Sequence, residues 1–441
     1  MKSSDKKIKS IFDVLALGII IYYLFDFVLR DVFAKYLFNY DLTMSFICLF
    51  TVINFFYYIK IGKNKISFVE IGLLFSLFAL TILSLGFRYE TFYPNRSVFY
   101  NHLIWIFLIY MYIRFQENEV ELLKKANKII FVLLIACSVI SFLSFILYII
   151  ETVFRYDLNL QSWNGKIGMG GRFVGVLSNP NPLGHIAFMG FSSSLYLIQS
   201  FRVLKLKMIF GTVAIINLYI IILTDCRSAI IAVVVVLICL FFFLQEKIVF
   251  KNKWLKPSIV IILGISMLFA GYRVMGLNRV KTLDYFNNEN ITEVLNKVTS
   301  YRYGIWVETI ELGKENILLG NGYGNLQKHA EAVYESDSAL VKMNVGVPHN
   351  IFLELYYSTG IVGFSVFVIY LIFLLKKLIQ LIRNKLDSST IFLVAIVLGS
   401  FSISLLDVGV LFSGSISPMF WIFSAIIITK SNLSLTINEK D

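Results

Sequence analysis

Charge is what this 441-residue chain has least of: Asp, Glu, Lys and Arg make up 15% of it, against about 25% in an ordinary soluble protein. The shortfall excludes a conventional solvated globule. Cysteine is almost as scarce, with Cys48, Cys137, Cys226 and Cys239 as the whole set. None has metal-ligand spacing and no disulfide framework follows from them. No internal repeat and no low-complexity tract is present, which excludes solenoids and disordered tails. What the chain has in quantity is apolar side chains, 58% of residues with 41 Phe among them. They fall in repeated runs of about twenty residues, the length that crosses a bilayer as a helix. The fold class is therefore all-α, a polytopic membrane protein.

Twelve spans are expected, near 11–29, 42–59, 66–87, 98–115, 128–150, 183–201, 208–224, 228–246, 258–275, 350–375, 390–408 and 412–429. The start, MKSSDKKIKS, is basic and leads into an apolar run too long for a signal-peptide core, so it reads as an uncleaved first span. With the N-terminus placed inside, the inner segments hold 24 of the 40 Lys and Arg residues and the short outer loops hold 8. Cytoplasmic loops carry such an excess. The net charge of +12 is thus a topology signal, and no nucleic-acid partner is needed to explain it. Both termini are expected to be cytoplasmic. The chain divides into spans 1–9 over 1–275, one large external loop over 276–349, and spans 10–12 with the tail over 350–441.

That loop is the only long polar stretch. Around 301–316 it reads as an amphipathic helix with Ile305, Trp306, Thr309, Ile310 and Gly313 near one face, and a second short helix is expected around 325–336. The cluster Gly320-Asn321-Gly322-Tyr323-Gly324 breaks the chain between them, with Gly322 at a turn of positive φ. A second external segment, 151–182, ends in GGRFVGVLSNPNPLGH, a shaped loop.

Ionisable groups near a membrane are costly and point to function by default. On the external side these are Arg172, Arg227, Arg302 and His349. Each has a bland reading. Arg227, at a hairpin tip in LTDCRSAI, could be a snorkelling arginine with Asp225 as partner. Arg172 could stabilise its Gly-rich loop. Arg302 opens a helix, where a positive side chain is unfavourable, so it calls for an anion: Glu308 or a ligand. His349 follows Pro348 at the start of a span, and Asn350 could cap that helix. Asp26, Glu70 and Asp407, in or near spans, are expected to be packing or polar-network residues.

The set says more than its members. Three arginines and a histidine on one membrane face suit a phosphorylated, lipid-anchored substrate, because guanidinium forks pair bidentately with phosphate oxygens. Fixed cations stabilise the charge that builds on a departing diphosphate, and a neutral histidine can take a proton from an acceptor hydroxyl. The external loops contain no DxD-like acidic pair, which argues against a metal-dependent nucleotide-sugar site. No metal and no cofactor is expected.

These stretches resemble the O-antigen ligase and polymerase family of bacterial membrane proteins. GRFVGVLSNPNPLGH is similar to the family's arginine-containing loop, LTDCRSAIIAVVVV to its Ser-Arg hairpin with Cys226 in place of the serine, RYGIWVETIELG and LLGNGYG to the helix and glycine turn of the large loop, and PHNIFLELYYSTGIVG to its closing His-Asn segment. Ten residues separate Arg302 from Gly313, and ten separate His349 from Gly360, patterns of the polymerase branch; near Arg172 the glycine, Gly184, falls one place late. The resemblance implies a GT-C-like membrane glycosyltransferase acting on glycans carried by undecaprenyl diphosphate. Arg227 and Arg302 would hold the diphosphate and His349 would activate the acceptor. Arg172 would bind glycan or phosphate, with Asn350 and Gly322 also lining the substrate site. The acceptor would be another lipid-linked repeat unit in a polymerase, or the lipid A core in a ligase. Implied partners are the bilayer, the lipid-linked donor and acceptor, a chain-length regulator and a flippase. A transporter of lipid-linked oligosaccharide also fits twelve spans, but would place its charges near the midplane, where this chain has almost none.

Overall fold

The computed structural model describes residues 3–33, 40–61, 67–84, 92–116, 118–152, 172–177, 179–245, 295–296, 299, 301–334, 338–343, 346–384, 387–407, 411 and 414–438. Within them the chain is helical. In order the helices are α1 (Ser3–Phe33), α2 (Tyr40–Ile61), α3 (Phe68–Ser84), α4 (Phe92–Leu103), a π-helical stretch (Ile104–Tyr110), α5 (Met111–Arg114), α6 (Glu119–Thr152), α7 (Pro180–Ser200), α8 (Leu204–Thr224), α9 (Arg227–Gln245), α10 (Arg302–Gly313), α11 (Leu326–Val333), α12 (Ala339–Met343), α13 (Ile351–Asn384), α14 (Ser388–Ser404) and α15 (Ser417–Asn438).

Among the described residues, five helices contain segments long and apolar enough to cross a membrane: Ile8–Leu29, Thr43–Lys60, Glu119–Ile150, Leu204–Thr224 and Ile351–Asn384. Shorter apolar segments occupy Phe68–Ile82, Val98–Arg114, Arg227–Phe242 and Ser388–Ser404. Every expected span overlaps a described helix except 258–275, which lies outside the described residues. The protein is thus all-helical and has the composition of a multi-pass membrane protein.

Short polar residues set where the helices begin. Asn179 caps α7 by accepting from the Asn181 amide at 2.9 Å, and Pro180 supplies the first position, where its missing N–H costs nothing. Asp387 caps α14 from the Thr390 amide at 2.7 Å. Asn350 caps α13 through the amides of Phe352 and Leu353, at 2.9 and 3.2 Å.

The bundle packs α7 against α6 and α8, α9 against α14, and α13 against α3 and α15. Its two ends are chemically distinct. At one end, where α3 begins and α5 stops, Glu70 takes a bidentate pair from Arg114 at 2.8 and 3.1 Å and a hydrogen bond from the Tyr110 hydroxyl at 2.5 Å. Lys430 on α15 lies close by sequence end to the same fringe, buried, and reaches Asp387 at 2.9 Å and Glu119 at 3.5 Å. The expectation that Glu70 belongs to a polar network holds. The opposite end gathers the starts of α7, α9, α13 and α15 with the ends of α8 and α14. There the loop helices α10, α11 and α12 form a small core of their own, in which Ile305, Leu312, Leu326, Ala330, Ala339 and Leu340 pack on Tyr357 of α13.

Candidate functional site

The four candidates from the sequence are all held at that second end. Their scaffolding starts with backbone strain. Among the described residues, three other than glycine have positive φ: Asp225 (47°), Tyr301 (65°) and His349 (53°). Each such residue costs of order 1–3 kcal/mol, and strain of this kind clusters at functional sites. Asp225 ends α8 two residues before Arg227, Tyr301 directly precedes Arg302, and the third is His349 itself.

His349 donates from Nδ1 to Oδ1 of Asp407 at 2.8 Å. Asp407 sits in the turn just past the end of α14 and is nearly buried. Burial alone would raise its pKa, but the His349 hydrogen bond and the charges of His185, His349 and Arg302 hold it well below the carboxylate range. An ionised carboxylate only accepts hydrogen bonds. It therefore fixes the proton on Nδ1 and leaves Nε2 of a neutral His349 with a free lone pair. The other oxygen, Oδ2, lies 3.7 Å from Nε2 of His185. His185, in the second turn of α7, is buried between the hydroxyls of Ser415 (2.7 Å from Nδ1) and Ser228 (2.9 Å from Nε2). Ser228 in turn lies 3.4 Å from the Cys226 sulfur.

Arg302 opens α10, and its charge acts on both Asp407 and His185. Asp407 is thus an anion within reach of its field. Glu308, the alternative weighed from the sequence, instead caps α12: its two oxygens accept from the amides of Ala339 and Leu340 at 2.7 and 2.8 Å. Trp306, one turn beyond Arg302, donates its indole N–H to the Pro348 carbonyl at 2.9 Å. This bond ties the helix carrying Arg302 to the residue next to His349.

Arg172 is half-buried, and its Nε and Nη2 reach the carbonyls of Thr224 and Asp225 at 3.0 and 2.9 Å and the Asn181 side chain at 2.8 Å. These donors brace the α8–α9 turn that presents Arg227, which is the loop-stabilising reading. Asn350 is similarly occupied: besides capping α13, its Nδ2 donates to the Leu405 carbonyl at 3.1 Å, joining α13 to the turn that carries Asp407. Gly322 has φ of 86°, and its amide donates to the Ser358 carbonyl at 3.1 Å.

Two site residues were missed by the sequence reading. Asp407 was set aside as a packing or network residue, and His185 was not weighed. Both stand at helix ends on the same side as His349, and that placement was the available signal. The amphipathic face also needs correction. Ile310 is exposed whereas Leu312 is buried, because α10 packs on two sides, with Gly313 against Tyr356 of α13 and Leu312 in the loop core. Among the described residues no group of three His, Cys, Asp or Glu converges as a metal site would.

Residues 212–368 match the family model described as O-antigen ligase. The matched stretch contains Arg227, Arg302, Gly322, His349 and Asn350, together with all of α9 to α12. Arg172 and His185 lie before it, and Asp407 lies after it. No curated protein matches the chain. The matched stretch therefore holds the strained turns and the histidine, while the carboxylate hydrogen-bonded to the histidine lies outside its bounds.

Proposed function

We propose that the protein is a membrane glycosyltransferase that polymerises oligosaccharide repeat units carried on undecaprenyl diphosphate into a surface polysaccharide. The observation that carries this is the His349–Asp407 pair at the bundle end where Arg302 also lies. In the proposed step an acceptor hydroxyl oxygen attacks the anomeric carbon of the donor. Nε2 of His349 takes the hydroxyl proton, the new glycosidic bond forms, and the bond to the lipid diphosphate breaks. Arg302 and Arg227 neutralise the charge that the leaving diphosphate gains. Arg172 positions the Arg227 turn. The site faces outward, in the cytoplasmic membrane, and no metal takes part.

Two spacings, Arg302 to Gly313 and His349 to Gly360, support polymerisation. The family description favours a second reading, in which the acceptor is the lipid A core and the protein is a ligase. Purified protein in liposomes, given lipid-linked repeat unit alone, discriminates between them. A ladder of products with release of lipid diphosphate is expected. Product only when a lipid A core acceptor is added would make the enzyme a ligase. Export of intact lipid-linked unit with no new glycosidic bond would make it a transporter. In the same assay Arg302→Lys is expected to rescue poorly, because lysine keeps the charge and loses the bidentate fork. Wild-type turnover by both Arg302→Lys and His349→Ala would remove the site.

A further inference from the structure

The 276–349 loop contains one turn that does not suit water. After α10 the chain makes a single 3-10 turn at Lys314–Asn316 and then presents Ile317, Leu318 and Leu319, which are 52%, 63% and 59% exposed. Their backbone is fastened to α13. The amides of Ile361 and Val362 donate to the carbonyls of Ile317 and Leu318 at 2.7 and 3.3 Å. In the reverse sense, the amides of Asn321 and Gly322 donate to the carbonyls of Tyr357 and Ser358 at 2.7 and 3.1 Å. The fastening point is a break in α13 at Gly360, with φ 65° and ψ −169°.

The location decides what covers the turn. Gly360 lies nine residues into α13, about 14 Å from its first residue at the helical rise. α13 is one of the helices long and apolar enough to cross a membrane, and Ile361 and Val362, beside the turn, are themselves exposed. The aliphatic side chains of the turn therefore continue the outer surface of a spanning helix. Non-helical backbone at membrane depth is tolerated only where its polar groups are satisfied. Here the helix break and the turn satisfy each other. Gly320 donates to the Asn316 carbonyl at 2.8 Å, the Asn316 amide side chain pairs with Asn321, and Asn321 Nδ2 donates to the Leu312 carbonyl at 3.2 Å. Charge resumes just before the turn, in the exposed Glu311–Lys314 pair, as at a headgroup boundary.

We propose that the Ile317–Leu319 turn inserts into the bilayer, with its side chains among lipid acyl chains beside Ile361 and Val362, and that it anchors the large loop to the membrane. The proposal rests on α13 crossing the membrane and is independent of the reaction assigned to the site. The test uses full-length protein with Cys48→Ala and Cys239→Ala; Cys137 and Cys226 are buried and stay. Leu318→Cys and Leu319→Cys are spin-labelled singly and reconstituted in phosphatidylcholine vesicles, with Val362→Cys and the exposed loop position Glu331→Cys as references. Labels at 318 and 319 are expected to collide more with oxygen than with a water-soluble nickel chelate, as at 362, and the order is expected to reverse at 331. Chelate-dominated collisions at 318 would put the turn in water and overturn the proposal. Low collision rates with both reagents would mean a protein surface covers it, such as a second copy, and would overturn it equally. Should the labelled proteins unfold, Leu318→Trp read against wild type in vesicles with brominated acyl chains replaces them. Quenching of the added fluorescence supports insertion, and its absence refutes it.

Discussion

Asp407 and His349 form a pair whose protonation is set by one partner. Asp407→Asn keeps the size of the side chain and removes the anion that holds the proton on Nδ1. An amide can donate to Nδ1 instead, which would leave the proton on Nε2 and remove the base. We expect kcat to fall by roughly 10²–10⁴-fold, the usual worth of general-base help, with little change in KM; a loss confined to KM would show that Asp407 serves binding. The same carboxylate gives stability a pH dependence. Its folded pKa is depressed, so its contribution is fully present above the ordinary carboxylate pKa of about 3.9. It is lost as pH falls from there toward the depressed value. The melting temperature of the detergent-solubilised protein should drop below about pH 4, and Asp407→Asn should flatten that part of the profile. The sequence offered His349 and Arg302 because ionisable groups stand out at a membrane edge. Asp407 was legible only as a charge at a span end: its partner is 58 residues away and no local pattern links them.

At the scale of elements, the ten-residue spacings have a physical explanation. Arg302 and Gly313 are the first and last residues of α10, and Gly360 is where the helix following His349 breaks. Both glycines lie where the loop meets α13. A Cβ on Gly313 would come within 2.3 Å of the Tyr356 ring, and one on Gly360 within 2.3 Å of the Leu318 backbone. Gly184, which breaks the spacing after Arg172, has the same role against Cys226, at 2.4 Å. The pattern thus pairs an ionisable side chain with the close approach that fixes its helix. Gly360→Ala adds a side chain at positive φ, which costs roughly 1–2 kcal/mol before any clash, and the backbone it would meet cannot swing aside. A lower melting temperature and faster proteolysis of the 301–343 region are expected, while unchanged values would show that the break is not required. Gly322→Val, at φ of 86°, should reduce product formation while the protein still inserts. The helices themselves were readable from hydrophobic runs and cap residues. The buried side of α10 was not, because a helix packed on two faces shows no single stripe.

For the whole molecule, the two ends separate by chemistry: strained turns, arginines and the histidine pair at one, and buried pairs built on Glu70, Arg114 and Lys430 at the other. On the orientation proposed from the charge count along the chain, the first lies outside and the second inside. Lys328→Cys should therefore react with an impermeant thiol reagent in intact cells, and Lys124→Cys only after permeabilisation; the reverse result would put the site beyond reach of an external donor. The layout also sets an order of events during synthesis. Arg227, Arg302 and His349 leave the ribosome well before Asp407, and Ser415, which touches His185, follows later still. A nascent chain that has already made the whole of 212–368 thus holds a histidine with no carboxylate to orient it. On the proposed mechanism it stays idle until α14 has threaded into place and brought Asp407 to it.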